Sequence, residues 1–472
     1  MLSNDVLLDI FDFYNEDIDG DFEPFIDRRM EGWITLAHVC RRWRIVVFHS
    51  PYRLNLRLLC TPKTSTRDTD IWPPLPLVIH NSDFPGVGSI ATVLEHNDRV
   101  CRINLGGLFS FELEHVTYLA AMQEPFLELT HLRLGMPTHG GPGQILPDSF
   151  LGGTAPRLRS LILEYVPFPG IPKLLLSAPH LVHLHLYDIP RSGHIPPEAM
   201  ANSLSTLTNL ESLHLHFRCP PPRPVLESRR LPPLPPTRSI LPSLTKIRFK
   251  GASEYLEKIL AWIDAPRLNE LHLTFFNQII FDTPQLFQFI SRRPTLRAPE
   301  KGRITFNSEA VTVGFLSQIS DYGALGLEIS CSAPEWQLSS LEQVCTSSLP
   351  PVSTLEDLYI LDGRENPACW QGDVENTLWL DLLHRFAAVK NLYLCEEFVP
   401  RIAPALQELV EGRTADVLPT LENIFLEGLQ PWTPHEGIKM FVAARRLTSH
   451  PVAVSRWDKN SELERRWEIY EL

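Results

Sequence analysis

The beginning of the chain places its apolar residues with the period of a helix. Residues 2–14 carry apolar side chains three and four positions apart, which predicts an amphipathic helix. Ser3 stands where a helix N-cap residue stands. Residues 33–48 repeat the spacing and predict a second helix, which Pro51 stops. The acidic stretch 15–31 between the two helices predicts a solvated loop.

The two helices carry more large apolar side chains than such short elements can bury by themselves. Leu54, Leu56 and Leu58 then alternate with polar residues, which predicts a short strand. The apolar surplus either packs on the domain that follows or docks on a partner. Periodicity alone does not distinguish these two explanations.

Beyond residue 99 the pattern changes to a recurring L-x-x-L-x-L motif. The first residues of successive copies lie 23 to 34 residues apart, except for one interval of 87 residues, which is three times 29. Two weaker units near 301–306 and 325–329 would fill that interval with further parallel repeats. The first positions of the ten clear copies are Val100, Leu129, Leu158, Leu181, Leu210, Leu244, Leu268, Leu355, Val389 and Leu421.

This spacing predicts an α/β fold, a leucine-rich-repeat solenoid in which parallel strands form an arc with helices outside it. A solenoid made only of helices is excluded because the motif alternates with period 2. Segments 254–263 and 377–386 are predicted outer helices. The predicted domains are a small helical domain at 1–60, a connector and N-terminal cap at 61–98, the solenoid at 99–430, and a C-terminal cap and tail at 431–472. Within that tail, residues 461–472 predict a short amphipathic helix.

The composition and the net charge argue against some classes of function. The 472 residues include 43 Lys and Arg against 56 Asp and Glu, and the net charge of −13 argues against nucleic-acid binding, which needs a basic surface. No apolar run approaches ~18 residues, so no membrane span or membrane partner is predicted. The eight cysteines form no C-x-x-C pair, which predicts reduced thiols in a cytoplasmic or nuclear protein.

Within each predicted strand the leucines face the core and the alternate residues face solvent on the concave side. The first half of this exposed column bears His and Arg, and the second half is aromatic. Tyr and Arg are common interface hot spots, so the column is a candidate surface for a target protein, although scattered solvated residues would give the same pattern. The predicted target contacts are Arg133, His185, His214, Arg248, His272, Tyr359, Tyr393 and Phe425.

No catalytic motif stands out, so no enzyme activity, metal or cofactor is predicted. Two His-x-His pairs, at 183–185 and 214–216, lack a carboxylate placed to orient them as metal ligands. The R-x-x-P-x-x-P match at 229–235 is interpreted as a stiff loop between repeats rather than a peptide ligand. Glycine clusters at 86–88 and 140–143 are predicted turns. An enzyme within 296–350, and nucleic-acid binding through the His/Arg patch, stay open as weaker alternatives.

The segments LSNDVLLDIF at 2–11 and VCRRWR at 39–44 resemble an F-box. The family pattern is Leu-Pro-x-Glu-(Leu/Val)-Leu-x-x-Ile-Phe, a gap, and then Val-Cys-(Arg/Lys)-x-Trp. Ser3 stands where that pattern has Pro. Residues 1–60 as a whole are similar to the F-box-like proteins that are numerous in mushroom-forming fungi.

The resemblance implies a function. An F-box binds the small Skp adaptor, and through it a cullin, so the chain would be the substrate-recognition adaptor of a ubiquitin ligase and would perform no chemistry itself. The alternative is a leucine-rich-repeat interaction protein without ligase coupling, whose helical head only caps the repeats. The adaptor contacts that the resemblance implies are Leu2, Val6, Leu7, Ile10, Phe11, Leu36, Val39, Cys40 and Trp43.

Overall fold

The computed structural model divides into two compact units. The first comprises Met1–Ala199 with Thr206–Leu210, and the second comprises Met200–Ser205 with Glu211–Leu472. The repeat pattern does not predict this division. The structure describes residues 2–15, 32–51, 53–54, 56–61, 75–80, 87–105, 118–136, 145–220, 238–276, 281–297, 300–316, 325–331, 334–347, 349, 352, 354–363, 376–408, 417–428, 435–447 and 450–457.

Three helices form the head of the first unit: α1 (Asn4–Asn15), α2 (Gly32–Val39) and α3 (Arg41–His49). The prediction of one continuous helix over 33–48 is wrong, because Cys40 is extended, with φ −159° and ψ 167°. Its Sγ accepts a hydrogen bond from the Trp43 N–H, so the cysteine caps α3.

The head has a small core of its own. Phe11 is buried and its ring lies edge-on to Trp43, with the ring centroids 4.9 Å apart. Trp33 is also buried, and its Nε1 donates a hydrogen bond to the Arg57 carbonyl at 2.8 Å. Leu54, in a turn, points inward as well, so the predicted strand here begins only at Leu58.

Among the residues that the structure describes, the sheet of the first unit has six parallel strands that pair in chain order. Ile103, Leu132, Leu161 and Leu184 occupy one register line across four of them and are buried, as the repeat pattern predicts. The strands are β1 (Leu58–Cys60), β2 (Leu77–His80), β3 (Val100–Leu105), β4 (His131–Gly135), β5 (Ser160–Glu164) and β6 (His183–Ile189).

The described helices that connect these strands are α4 (Val87–Leu94) and α5 (Ile171–Leu175). The helix α6 (Pro197–Leu204) follows the last strand, and its residues from Met200 onward belong to the second unit. The turn predicted around Gly88 is wrong, since that residue lies inside α4. An apolar run through Ile90, Val93 and Leu94 is buried and holds this segment in a helix.

In the described part of the second unit, ten strands form one sheet and two more form a separate short pair, β8 (Ser239–Ile240) with β10 (Ile263–Asp264). The order within the sheet is β7-β9-β11-β14-β13-β12-β15-β16-β17-β18. Its strands are β7 (Ser212–Phe217), β9 (Lys246–Gly251), β11 (Glu270–Phe275), β12 (Lys301–Phe306), β13 (Ala310–Leu316), β14 (Leu325–Ser330), β15 (Asp357–Asp362), β16 (Asn391–Leu394), β17 (Asn423–Glu427) and β18 (Ala453–Trp457).

The 87-residue interval holds two strands that run parallel to the repeats on either side, as predicted, but these two strands are not neighbours in the sheet. Both weak units are strands, but an unpredicted strand, β13, pairs antiparallel with each of them. The chain reverses after β12, where Asn307 Oδ1 accepts the Glu309 N–H at 2.9 Å. As a result β14 lies beside β11, and β12 lies beside β15.

Helices of the second unit pack on the leucine side of its sheet, as the repeat pattern predicts. Phe306 of β12, for example, contacts the ring of Trp379, with centroids 5.8 Å apart. The helices predicted at 254–263 and 377–386 are confirmed to within two residues. The helices of this unit are α7 (Ser253–Trp262), α8 (Pro284–Ser291), α9 (Pro294–Arg297), α10 (Pro334–Ser347), α11 (Asn376–His384), α12 (Val399–Glu408) and α13 (Glu436–Leu447).

Several predictions concern parts of the chain outside the described residues. These are the acidic loop at 16–31, the glycine turn at 140–143, the proline-rich match at 229–235 and the terminal helix at 461–472. The strand β18, which extends the parallel sheet beyond β17, is an element that sequence analysis did not predict.

Replacement of Trp379 by alanine should destabilise the second unit. The side chain is fully buried between Phe306 and Phe398, so Trp379→Ala should lower the free energy of unfolding by about 3–5 kcal/mol. The control is Trp336→Ala on α10, where the side chain is 48% exposed and the loss should stay below about 0.5 kcal/mol. Denaturant titration followed by circular dichroism measures both, and equal losses would contradict the packing described.

Candidate functional site

The first helix of the head has two apolar sides. Leu7, Leu8 and Phe11 face inward and are buried. A second set lies on the opposite side, because residues spaced by three and four share one side of a helix. This outer stripe consists of Val6, Ile10 and Phe13 of α1 together with Leu2 just before the helix, all of them exposed, with Phe13 at 76%.

The structure divides the predicted adaptor contacts into two groups. Leu7, Phe11 and Leu36 are buried, so their prediction as direct partner contacts is corrected: they hold the head together. Trp43 is half-buried against Phe11. Leu2, Val6, Ile10, Val39 and Cys40 are exposed.

Two exposed apolar residues of the head were missed by the sequence analysis. Phe13 follows Ile10 at helical spacing, so the spacing itself could have identified it. Ile45 lies on α3, which begins after the break at Cys40, and is 48% exposed.

Polar contacts fix the orientation of α1. Arg42 of α3 donates to Asn4 Oδ1 at 3.0 Å, at the start of the helix. Arg53 forms ion pairs with Asp9 and Asp12, further along it. Ser3 Oγ accepts the Val6 N–H at 3.3 Å and caps the first turn, as predicted.

The alternate residues of the second sheet form straight rows, because its strands pair in register. One row runs through all ten of these strands, on the side of the sheet opposite the helices. We call this side the polar face. In order it contains His214, Arg248, His272, Gly326, Gly314, Arg303, Tyr359, Tyr393, Phe425 and Ser455.

A single carboxylate organises the cationic part of this face. Glu270 Oε1 lies 2.9 Å from Lys246 Nζ, 3.3 Å from Arg248 Nη2 and 3.1 Å from His272 Nε2. Burial alone would raise the pKa of Glu270, but hydrogen bonds from His272 and Lys246 lower it to about 2. The carboxylate is therefore ionised and balances positive charge within the row.

Gly326 is required by the position of His272. A Cβ atom at Gly326 would lie 2.6 Å from the Nδ1 atom of His272, closer than real Cβ atoms approach. The imidazole therefore packs closely against the neighbouring strand while its Nε2 lies 3.1 Å from Glu270 Oε1.

The aromatic part of the row is a stack. Tyr359 lies 4.1 Å from Tyr393, and Tyr393 lies 4.4 Å from Phe425, with nearly parallel rings in both pairs. Trp457 leans back over the stack, 5.5 Å from Tyr393. Tyr359 is thereby only 5% exposed, so its prediction as a surface contact is corrected.

His214 needs the same correction, since it is buried, with its Nε2 3.3 Å from Ser212 Oγ. Arg248, His272, Tyr393 and Phe425 are half-buried. A partner on the polar face could therefore contact only part of each of these side chains.

The first unit carries its own polar face. Arg133 pairs with Glu164 at 2.8 Å across adjacent strands. His185 is half-buried, and its ring lies 5.9 Å from that of Tyr187. The neighbouring row contains Arg102, His131, Ser160 and His183, one residue from each of four successive strands.

The pKa of His131 is lowered to about 3. Burial is the main cause, and the charges of Arg102, Arg57 and Arg159 add to it. The imidazole is therefore neutral at physiological pH.

The buried thiols are unreactive. Burial raises the pKa of Cys60 to about 11 and that of Cys345 to about 12, so both stay protonated. Cys395 lies with Glu397 and Glu427 so that their ligand atoms are within 4.8 Å. Burial and the two carboxylates raise the pKa of this thiol to about 12, which disfavours the thiolate that a metal ion would need.

Comparisons with known proteins add little. No family model matches the chain, and no curated protein matches it. Among solved structures, the chain is similar to the crystal structure of the leucine-rich repeat-containing protein LegL7 from Legionella pneumophila, with 14% identity and a TM-score of 0.27. The similarity covers 83% of this chain and 98% of that one. At this score the likeness carries no inference about function.

The architecture itself agrees with the coarse prediction. Each unit contains a mostly parallel sheet with helices, which is consistent with leucine-rich repeats. In the described parts of the chain, every helix is too short or too polar to cross a membrane.

Replacement of Glu270 by glutamine should reduce stability and its dependence on pH. The folded-state pKa lies below the ordinary value of 4.5, so the carboxylate stabilises the fold above that pH and loses its effect as the pH falls toward 2. Glu270→Gln should therefore cost about 1–3 kcal/mol at pH 7 and flatten the loss of stability below pH 5. The measurement is the free energy of unfolding at several pH values.

The control for this substitution is Glu356→Gln. Glu356 pairs with Lys390 in the same unit but is exposed, so its replacement should change stability by less than about 0.5 kcal/mol. An unchanged pH profile in Glu270→Gln would contradict the role assigned to this carboxylate.

Proposed function

We propose that this chain is the substrate-recognition adaptor of a Skp–cullin–F-box ubiquitin ligase. The head binds the Skp adaptor and the polar faces of the repeat sheets bind a target protein. The chain performs no chemistry itself, and its contribution is to hold a target at high effective concentration near the ligase.

The outer stripe of α1 is the observation that carries the proposal. A helix with a buried apolar side has no need of a second one, and exposed apolar clusters on soluble proteins mark interaction sites. An amphipathic helix that presents residues at this spacing suits an apolar groove on a partner. The F-box resemblance of 2–11 and 39–44 supplies the identity of that partner.

The sheets support the second half of the proposal. Parallel repeats hold their alternate side chains in rigid rows, and rigid rows suit recognition because little entropy is lost on binding. Arg248 and His272 are held by Glu270, and Arg133 is held by Glu164. These side chains are thus preorganised.

The alternative is an interaction protein without ligase coupling, in which the head only caps the repeats. In that case the buried residues Leu7, Phe11 and Leu36 would be the important ones. The outer stripe would have no partner, and its substitution would have no effect on binding.

Charged substitutions on the outer stripe should abolish adaptor binding without unfolding the head. Ile10→Asp places a charge among apolar contacts, and we expect a loss of about 2 kcal/mol or more in affinity for the purified Skp adaptor. Val6→Asp should behave alike. Calorimetric titration of the full chain measures both, and circular dichroism verifies the fold.

Two control variants make this experiment decisive. Leu127→Asp alters an exposed leucine of the same unit away from the head and should bind the adaptor normally. Leu7→Asp places a charge in the core and should lower the melting temperature instead. Wild-type adaptor affinity in Ile10→Asp would refute the assignment of the outer stripe.

Coupling to the ligase is tested separately. If the proposal holds, a cullin should co-precipitate with the wild-type chain in the presence of the Skp adaptor, and Ile10→Asp should abolish this. Adaptor binding without cullin recruitment would favour the uncoupled interaction protein.

A further inference from the structure

We propose that the polar face of the second unit binds an arginine side chain of the target protein at its β17–β18 end, where the guanidinium group stacks on the ring of Phe425 and donates to Asn423 Oδ1. This inference rests on the proposed interaction function and names the side chain that the target must present.

The stack of aromatic rings in this row ends at Phe425. Tyr393 covers one face of the Phe425 ring at 4.4 Å, and the register partner of Phe425 on β18 is Ser455. The rings follow one another at close to the spacing of neighbouring strands, ~4.8 Å, so the next ring position lies above Ser455. Ser455 is exposed, and its side chain is too small to fill that position. The stack therefore has an open position at its end.

The indole ring of Trp457 does not close this position. It contacts the rings of Tyr359 and Tyr393, with centroid distances of 6.0 and 5.5 Å. Among the residues that the structure describes, Tyr393 gives Phe425 its only ring contact, and Phe425 is half-buried. The outer face of the Phe425 ring is therefore accessible to a planar group.

A ladder of polar side chains runs beside the stack, and its first member fixes its direction. The carboxylate of Asp357 can only accept, and Asn391 Nδ2 donates to it at 2.7 Å. Asn391 Oδ1 is then the acceptor for Asn423 Nδ2, at 2.8 Å. This order leaves Asn423 Oδ1 as the acceptor at the end of the ladder. Its register partner on β18 is Ala453, whose side chain has no donor.

The two open ends lie side by side. Asn423 and Phe425 are two residues apart on β17, so both side chains project from the same face of the sheet. The residues opposite them on β18, Ala453 and Ser455, are both small and exposed. A ligand that fills this position must therefore offer a flat surface to the ring and an N–H or O–H donor to the amide oxygen.

The carboxylates around this position favour a cation. Glu427 follows Phe425 by two residues and projects from the same face. Its carboxylate lies with that of Glu397 and the Cys395 Sγ so that the three ligand atoms are within 4.8 Å. Burial raises the pKa of this thiol, and the two carboxylates raise it further, so their negative charge acts on this part of the face.

Two arginines of the same sheet do not occupy the position. Arg303 belongs to the same row but lies four strands away from β18. Arg456 alternates with Ser455 and Trp457 along β18, so it projects from the opposite face. The described residues of this sheet therefore leave the place of the cation to a partner.

An arginine side chain of the target meets all of these requirements. Its guanidinium group is planar, stacks on aromatic rings, carries several N–H donors and is always charged. A lysine ammonium group has the charge but no flat surface. An aromatic side chain has the flat surface but no charge. The chemistry of the position therefore selects arginine over both.

Retention of short peptides tests the site. The full-length protein is immobilised and offered a pool of end-blocked peptides with arginine at the centre and uncharged residues elsewhere. Matched pools carry lysine or phenylalanine at the centre. The arginine pool should be retained at least about tenfold better than the other two, the difference expected for one charge-assisted hydrogen bond. Equal retention of the arginine pool and either matched pool, or no retention of any pool, would overturn the proposal.

Ser455→Tyr is the decisive variant, because it fills the open position with a ring from the chain itself. The added ring extends the stack, so the melting temperature should hold or rise. Retention of the arginine pool should nevertheless fall at least about tenfold. Wild-type retention in Ser455→Tyr would refute the site, since the position would then not be the one that the peptide uses.

Phe425→Leu removes the ring but keeps an apolar side chain, and it should weaken retention of the arginine pool likewise. Its matched control is Phe287→Leu on α8, the same replacement at a ring that is 40% exposed on the helix side of the same unit. Retention in this control should equal that of the wild type. Equal losses in the two variants would contradict a specific role of Phe425.

The outcome is separable from that of the proposed function. These variants do not alter the head, so adaptor binding should persist in Ser455→Tyr and Phe425→Leu. Loss of peptide retention with intact adaptor binding concerns the arginine site alone. Failure of adaptor binding in the wild type concerns the ligase function alone.

Discussion

The structure depends on in-register pairing of strands that bury alternate leucines. Leu132, Leu161 and Leu184 meet on one line because each strand aligns with the next, residue for residue. Each is fully buried, and a buried leucine contributes roughly 1.5–3 kcal/mol. The same register places the intervening residues on the other face. The rows that could bind a partner are therefore positioned by the core.

Much of this could be predicted from the sequence, because the leucine pattern specifies both the strands and their buried side. Strand direction could not be predicted, since alternation is identical in parallel and antiparallel strands. The interval between the repeats at Leu268 and Leu355 matches three repeat lengths, but the antiparallel strand β13 lies between β12 and β14 there, and β14 rather than β12 pairs with β11. The turn at Asn307 is the local signal of that reversal, and its side-chain bonds become evident only in the structure.

The head shows the corresponding limit for helices. Spacing by three and four identifies one apolar side, and α1 has two. Leu7 and Val6 are adjacent in the chain, yet the first is buried and the second is exposed, because α2 and α3 cover only one side. The apolar pattern does not predict the break at Cys40 either, since a cysteine rarely caps a helix. The packing of the three helices therefore determines which apolar residues stay exposed and could contact a partner.

Position in a row also does not decide exposure. His214 and Tyr359 occupy solvent-side register positions and are nevertheless buried. Tyr359 lies against the ring of Trp457, with the centroids 6.0 Å apart. The row does determine which charged side chains lie next to one another. Charges about 5 Å apart on adjacent strands interact strongly wherever water is partly excluded. A row that gathers cations therefore needs a negative charge, either from within the chain, as with Glu270, or from whatever binds. The balance of charge along each row, more than its list of residues, defines the chemistry that a partner must supply.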